Sequence, residues 1–142
     1  MCIAESRLRA EPDYHPETPM PIKKILVVDD SPTERQFMLE ALSKLGYQVV
    51  LAESGEEGVA KARSELPDLV LMDVVMPGSN GFQATRQISK DEATKHIPVI
   101  ICTTKSQETD RIWGLRQGAV DYMIKPVSPD QLVAKAQATL SA

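Results

Sequence analysis

The 142-residue chain has only two cysteines, Cys2 and Cys102, and no C-x-x-C spacing. A disulfide-stapled scaffold and a thiolate metal or redox motif are therefore excluded as organising principles. Basic charge is also short: 16 lysines and arginines face 20 acidic residues, and the sequence pI is near 5.2. A nucleic-acid-binding surface needs a clustered basic face, and this balance argues against one. No apolar run approaches the roughly 18 residues needed to span a bilayer. The opening MCIAESRLRAEPDYHPETP lacks the apolar h-region of a secretory signal. The expected compartment is reducing and cytoplasmic, with no membrane insertion. Against these absences stands a hydrophobic content of 42%, enough for the core of one domain at this length.

The chain divides once. Met1–Pro21 holds four of the ten prolines, two arginines against four acidic residues, and no apolar period of either 2 or 3.6. Such a segment buries too little surface to offset its ordering entropy. Residues 1–21 are expected to form a flexible N-terminal extension. His15 stands there without a neighbouring ligand set. Met20 opens MPIKKILVVDD, and a start at Met1 or at Met20 both remain open. Residues 22–142 are expected to form the folded domain.

From Ile22 onward, short apolar runs alternate with amphipathic stretches. The runs are Ile25–Val28, Tyr47–Ala52, Leu69–Met72, Val99–Cys102 and Tyr122–Ile124, several of them apolar throughout. Uniformly apolar strands are those covered on both faces. Between them, Ser31-Pro32-Thr33-Glu34 places a capping serine before a proline at the first helical position, with Glu34 completing a capping box. Phe37, Met38, Ala41, Leu42 and Leu45 follow at helical spacing, and Gly46 closes the helix. Ser54-Gly55-Glu56-Glu57 and Ser128-Pro129-Asp130-Gln131 repeat the starting signal. The pattern predicts an α/β fold, (βα)₅: a five-stranded parallel sheet with helices on both faces. It leaves no residues for a separate output domain.

In such a sheet the ligand crevice lies at the carboxyl ends of the strands. Asp29 and Asp30 end the first run, Asp73 ends the third, Thr103 and Thr104 follow the fourth, and Lys125 follows the fifth. If strands one and three are neighbours, three carboxylates converge. Each close pair would repel by about 4 kcal/mol at 4 Å and an effective dielectric near 20. The cluster therefore needs a cation or a proton, and carboxylate oxygens suit Mg²⁺ or Mn²⁺ rather than Zn²⁺. A hard dication beside a lysine and a hydroxyl is equipment for a phosphoryl group, with Asp73 as the candidate nucleophile. Singly, an aspartate at a strand end is more often a turn former, a threonine a β-former and a lysine solvated. The joint occurrence at four of five strand ends points to a site.

VVDDS, LVLMDVVMPGSNG, VIICTTK and DYMIKPV, in this order and spacing, resemble the receiver domain of bacterial response regulators, the CheY-like proteins of two-component signalling with a flavodoxin-like fold. The likeness runs from Ile22 to about Leu140. Within that family, GFQATRQISKD and TTKSQETDRIWGLRQGA are most similar to stand-alone receivers of the twitching-motility, PilH-like type. The resemblance implies that Asp73 is the phosphoryl acceptor. It implies that Asp30, Asp29, Asp73 and the backbone carbonyl of Val75 hold Mg²⁺. It makes Thr103 the hydroxyl that moves toward the phosphoryl group, Lys125 the conserved-type lysine, Tyr122 the aromatic switch residue, and Lys125-Pro126 a cis peptide. Two positions depart from the pattern: Thr104 stands where many receivers have alanine, and Val75 is apolar where others carry a polar residue that orients water. Both bear on the dephosphorylation rate.

The implied function is a phosphorylation switch rather than an enzyme acting on other substrates. Its donor would be a histidine kinase of the CheA-like kind and its output a partner protein, in control of type IV pilus twitching or of a chemotaxis-like or phototaxis-like response. A phosphate sink for that kinase and a phosphorylation-independent pseudo-receiver are the alternatives. A haloacid-dehalogenase-type phosphatase needs D-x-D, and Ser31 stands where the second aspartate would be. Nothing in the sequence demands more than a monomer. Among the remaining residues, Cys102, Met72 and Met76 are expected to pack in the core and His96 to be solvated. Ile112 and Leu115 are expected to define the buried face of their helix. Trp113, the single tryptophan, lies about one residue off that face, so core packing is favoured over partner contact.

Overall fold

The computed structural model describes residues 23–141. The expected extension over residues 1–21, with His15 and the alternative starts at Met1 and Met20, lies outside the described residues. Five strands, β1 (Lys24–Val28), β2 (Gln48–Ala52), β3 (Leu69–Met72), β4 (Val99–Thr103) and β5 (Asp121–Ile124), form one sheet in the order β2-β1-β3-β4-β5. All of its pairings are parallel. Five helices alternate with them: α1 (Pro32–Ser43), α2 (Gly55–Glu65), α3 (Gly81–Lys90), α4 (Glu108–Arg116) and α5 (Pro129–Leu140). The expected fold class is the observed one.

The uniformly apolar strands have the predicted cause. Successive side chains of a strand point to opposite faces, and here both faces are covered. Ile25, Val27, Leu69, Leu71, Ile100 and Cys102 pack on one face against Met38 and Leu42 of α1 and Leu132 and Ala136 of α5. Leu26, Val28, Val70, Met72 and Val99 pack on the other against Ala62 of α2 and Ala84 and Ile88 of α3. Burying each large aliphatic side chain contributes about 1.5–3 kcal/mol, so these two layers hold the sheet flat against its helices. Met72, Met76 and Cys102 are in the core, and His96 is exposed, as expected.

Three local expectations need correction. Leu45 is exposed rather than buried, because α1 stops at Ser43 and the chain turns through Gly46 at φ +89°. Ile112 and Leu115 do not form a buried face: of α4, only Gly114 is buried, while Ile112, Trp113 and Leu115 are exposed. The physical reason is the close seat of α4 on β5, the last strand of the sheet. A Cβ on Gly114 would lie 2.6 Å from Ile101 Cδ1 and 3.2 Å from the Tyr122 ring. With the glycine making that contact, the larger neighbours flank the junction instead of filling it. Trp113 therefore faces solvent at 51% exposure.

A short antiparallel ribbon after β3, pairing Val75 and Met76 with Asn80 and Ser79, was not legible in the sequence. It turns through Gly78 at φ +68°, a left-handed conformation that glycine adopts without steric cost. Asn80 then caps α3 by accepting the N–H groups of Phe82 and Gln83. This return presses Gly81 onto the backbone at the end of β3: a Cβ there would sit 2.2 Å from the Asp73 carbonyl oxygen and 2.7 Å from Val74 Cα. Backbone cannot yield as a side chain can. Gly81→Ala is therefore expected to destabilise the fold by about 2–4 kcal/mol, measured as a lower urea midpoint. A loss below about 0.5 kcal/mol would show that the ribbon shifts freely.

Candidate functional site

Strand register builds the site. Val28 pairs with Met72, so the residues that follow, Asp29 and Asp73, leave the sheet side by side. The Asp73 N–H donates to the Val28 carbonyl at 2.9 Å, and the Asp29 N–H to the Ala52 carbonyl at 3.0 Å. Thr103 pairs with Ile124, and the Lys125 N–H donates to the Thr103 carbonyl at 2.8 Å. The sequence-predicted Asp29, Asp30, Asp73, Thr103 and Lys125 thus share one rim. One oxygen from each of Asp29, Asp30 and Asp73 lies within 4.8 Å of the others. Asp29, Asp73 and Thr103 are buried and Asp30 is exposed.

Lys125 crosses to this cluster. Its Nζ lies 2.6 Å from Asp29 Oδ2 and 3.4 Å from Asp73 Oδ2. The second oxygen of each aspartate accepts a backbone N–H, Asp29 from Ser31 at 2.9 Å and Asp73 from Val75 at 3.0 Å. Burial pushes the Asp29 carboxyl above its ordinary value. The Lys125 ammonium and the Ser31 N–H oppose that rise, while the Asp73 charge adds to it. Burial also works against the Lys125 cation, but the carboxylates of Asp29, Asp73 and Glu34 outweigh it and hold the ammonium above its usual range. The asymmetry is physical: the lysine meets three anions, whereas Asp29 meets one cation and a like charge. Lys125-Pro126 is a cis peptide, as the resemblance implied.

Glu34 has its carboxylate elsewhere than in the capping box the sequence suggested. Its own N–H does donate to the Ser31 hydroxyl at 3.3 Å, which is half of a capping box. The Ser31 N–H, however, goes to Asp29, and the Glu34 carboxylate lies 3.6 Å from Lys125 Nζ. A complete reciprocal box forms at α5 instead, between Ser128 and Gln131. What distinguishes the two serines is the buried aspartate two residues before Ser31, which takes its N–H.

The remaining predicted residues surround this centre. The Thr103 hydroxyl accepts the Lys105 N–H at 3.4 Å, and the Tyr122 hydroxyl donates to the Lys105 carbonyl at 2.9 Å. Burial, with the charges of Asp110 and Asp73, pushes the Tyr122 hydroxyl up to about 12, so it stays a neutral donor. The Val75 side chain and Thr104 are exposed beside the site. Burial pushes the Cys102 thiol up to about 12, which makes it an inert hydrophobe. An arrangement of three carboxylate oxygens suits a hard, oxygen-seeking dication. The adjacent ammonium and hydroxyl suit phosphoryl oxygens.

Comparison with known proteins agrees with this chemistry. A family model described as the response regulator receiver domain matches residues 25–137. Protein PilH of Pseudomonas aeruginosa is 59% identical over 118 residues, covering 83% of this chain and 98% of PilH. The phosphate regulon regulator PhoB of the same organism is 41% identical over 118 residues, covering 83% of this chain and 52% of PhoB. A crystal structure of a response regulator from Chloroflexus aurantiacus superposes with a TM-score of 0.81 at 31% identity, covering 86% of this chain and all of that one. The receiver domain of a P. aeruginosa sensor histidine kinase, solved with a magnesium ion coordinated in its active site cleft, superposes with a TM-score of 0.79 at 31% identity, again covering 86% and all.

Without a dication, the acidic cluster is a source of strain. Asp73→Asn keeps the shape, leaves the short Lys125–Asp29 pair intact and removes one of three converging charges. It is expected to stabilise the metal-free protein by on the order of 1 kcal/mol at neutral pH. The sign follows from Asp29. A carboxyl raised in the folded state lowers stability as pH rises from its ordinary 3.8 through the raised value, and removing the Asp73 charge relieves part of that loss. The gain should therefore fade as pH drops through the carboxylate range. Denaturant titrations in chelator at several pH values check this; a less stable variant at neutral pH would show that the Lys125–Asp73 attraction exceeds the repulsion.

Proposed function

The chain belongs to the response regulator receiver family, and from that premise we propose a phosphorylation switch, residues 22–142, in which Asp73 accepts a phosphoryl group from a histidine kinase. The observation that carries this reading is Lys125 Nζ lying against both Asp29 and Asp73, with Asp30 beside them. Members of this family act as signalling proteins in two-component systems, and a receiver implies a kinase partner. The Asp73 carboxylate is the nucleophile. Its oxygen forms a bond to phosphorus as the donor's P–N bond breaks, and the imidazole of the donor histidine leaves and takes a proton from solvent. The product is an acyl phosphate.

Asp29, Asp30, Asp73 and the Val75 carbonyl are the groups that would hold Mg²⁺, with Mn²⁺ as a substitute, and the donor set fits a hard dication. Such an ion, when bound, offsets the charge of the phosphoryl oxygens. Lys125, whose Nζ lies against Asp29 and Asp73, would contribute a second positive charge. Thr103 donates to a phosphoryl oxygen and, in turning to it, releases the Lys105 N–H. Lys105 is also bonded to Tyr122, so the same residue links the site to the aromatic ring under α4. A partner reads the result on the face formed by α4 and β5. Similarity to PilH across 98% of that protein supports the PilH-like reading, and a role in twitching-motility control with a CheA-like kinase is part of the proposal. No described helix is long and apolar enough to cross a membrane, and a cytoplasmic place beside such a kinase is part of the proposal.

Incubation with Mg²⁺ and acetyl phosphate, followed by intact-mass measurement, tests the reading. Wild type is expected to gain one phosphoryl group, lost on adding chelator beforehand and absent in Asp73→Asn. Sustained phosphate release without a stable adduct would favour a hydrolytic enzyme, and no adduct at all a pseudo-receiver. In the same assay Thr104→Ala is expected to shorten the half-life of the phosphoprotein, because the exposed side chain at the mouth of the site hinders water. An equal or longer half-life would refute that steric role.

A further inference from the structure

An ammonium has three N–H donors, and Lys125 faces three carboxylates. The contacts are unequal. Asp29, at 2.6 Å, is 1% exposed; Asp73, at 3.4 Å, is 9% exposed; Glu34, at 3.6 Å, is 40% exposed. Water can replace Lys125 around Glu34 far more readily than around Asp29. Glu34 is also free to turn toward the lysine for a reason visible nearby: the Ser31 N–H that it would otherwise cap is taken by Asp29 Oδ1.

Building on the reading of Asp73 as phosphoryl acceptor, we propose that Glu34 is a positioning residue whose charge, 3.6 Å from Nζ and beyond hydrogen-bond length, attracts Lys125 in the unphosphorylated state and competes with the phosphoryl group for it. A phosphoryl group on Asp73 brings acceptor oxygens and negative charge beside the ammonium. Lys125 then turns its charge toward those oxygens, and the long, water-accessible ion pair with Glu34 is the contact that yields. The Glu34 carboxylate also adds negative charge near the incoming anion. Its effect is to weaken phosphoryl binding and bias the switch toward its unmodified form.

Titration of the full chain with beryllofluoride at saturating Mg²⁺, in wild type, Glu34→Gln and Glu34→Asp, tests this. Glu34→Gln is expected to bind the phosphoryl mimic more tightly by up to about fivefold, the size of one partly exposed ion pair. Added salt should shrink the difference. Glu34→Asp keeps the charge on a shorter arm and should fall between the two. A merely structural role in starting α1 would lower the thermal midpoint without tightening the mimic. Equal or weaker binding by Glu34→Gln overturns the inference while leaving Asp73 as acceptor intact. Failure of wild type to bind the mimic overturns the acceptor reading and this inference with it.

Discussion

Two buried carboxylates side by side are tolerated in a folded protein only when something positive stands between them. Here the pairing of Val28 with Met72 brings Asp29 and Asp73 out of the sheet together, and Lys125 supplies the positive charge. That requirement propagates through the architecture. The β4–β5 register sets the height of Lys125, because its N–H donates to the Thr103 carbonyl one strand away. The start of α1 is bent to the same need, since the Ser31 N–H serves Asp29 rather than the helix cap. The charge problem at the rim thus links strands that are distant in the chain.

The opposite faces of the sheet are anchored unequally. α1, α2, α3 and α5 each bury side chains in the two main core layers. α4 buries only Gly114, and its N-cap residue Gln107 makes no side-chain cap hydrogen bond. An element with few buried apolar contacts belongs to the low-stability end of a structure. This lightly held helix follows Lys105, which Thr103 grips through its N–H and Tyr122 through its carbonyl. The site and the element that resists movement least are thus joined by two hydrogen bonds on one residue. Exposed Ile112, Trp113 and Leu115 lie on that same helix.

Strand positions, sheet class and the rim of acidic residues were legible in the sequence because they rest on local rules. Apolar runs bounded by turn formers mark strands covered on both sides, and chain order alone puts every strand end on one edge of a parallel sheet. Asp29, Asp30, Asp73, Thr103 and Lys125 follow from that logic. The half-formed cap at Ser31, the contact of Glu34 with Lys125, the ribbon after β3 and the exposure of α4 did not follow: near neighbours compete for the Ser31 N–H, and the contact of Glu34 depends on a partner far away in the chain. Glu34 and Lys125 are 91 positions apart, and no local spacing announces their meeting.

Sequence by itself determined which residues could be apolar layers and which could be a charged rim, since side-chain period and strand-end chemistry are properties of short segments. Tertiary structure alone decided how that rim is wired. Hydrogen-bond donors are finite, and a buried carboxylate outbids a helix cap for the nearest N–H. The close seat of Gly114 on Ile101 and Tyr122 leaves no room for a broader apolar face on α4. Competition for donors and for space is settled only when all claimants are brought together, which is why these features emerge from the fold and not from the chain read in order.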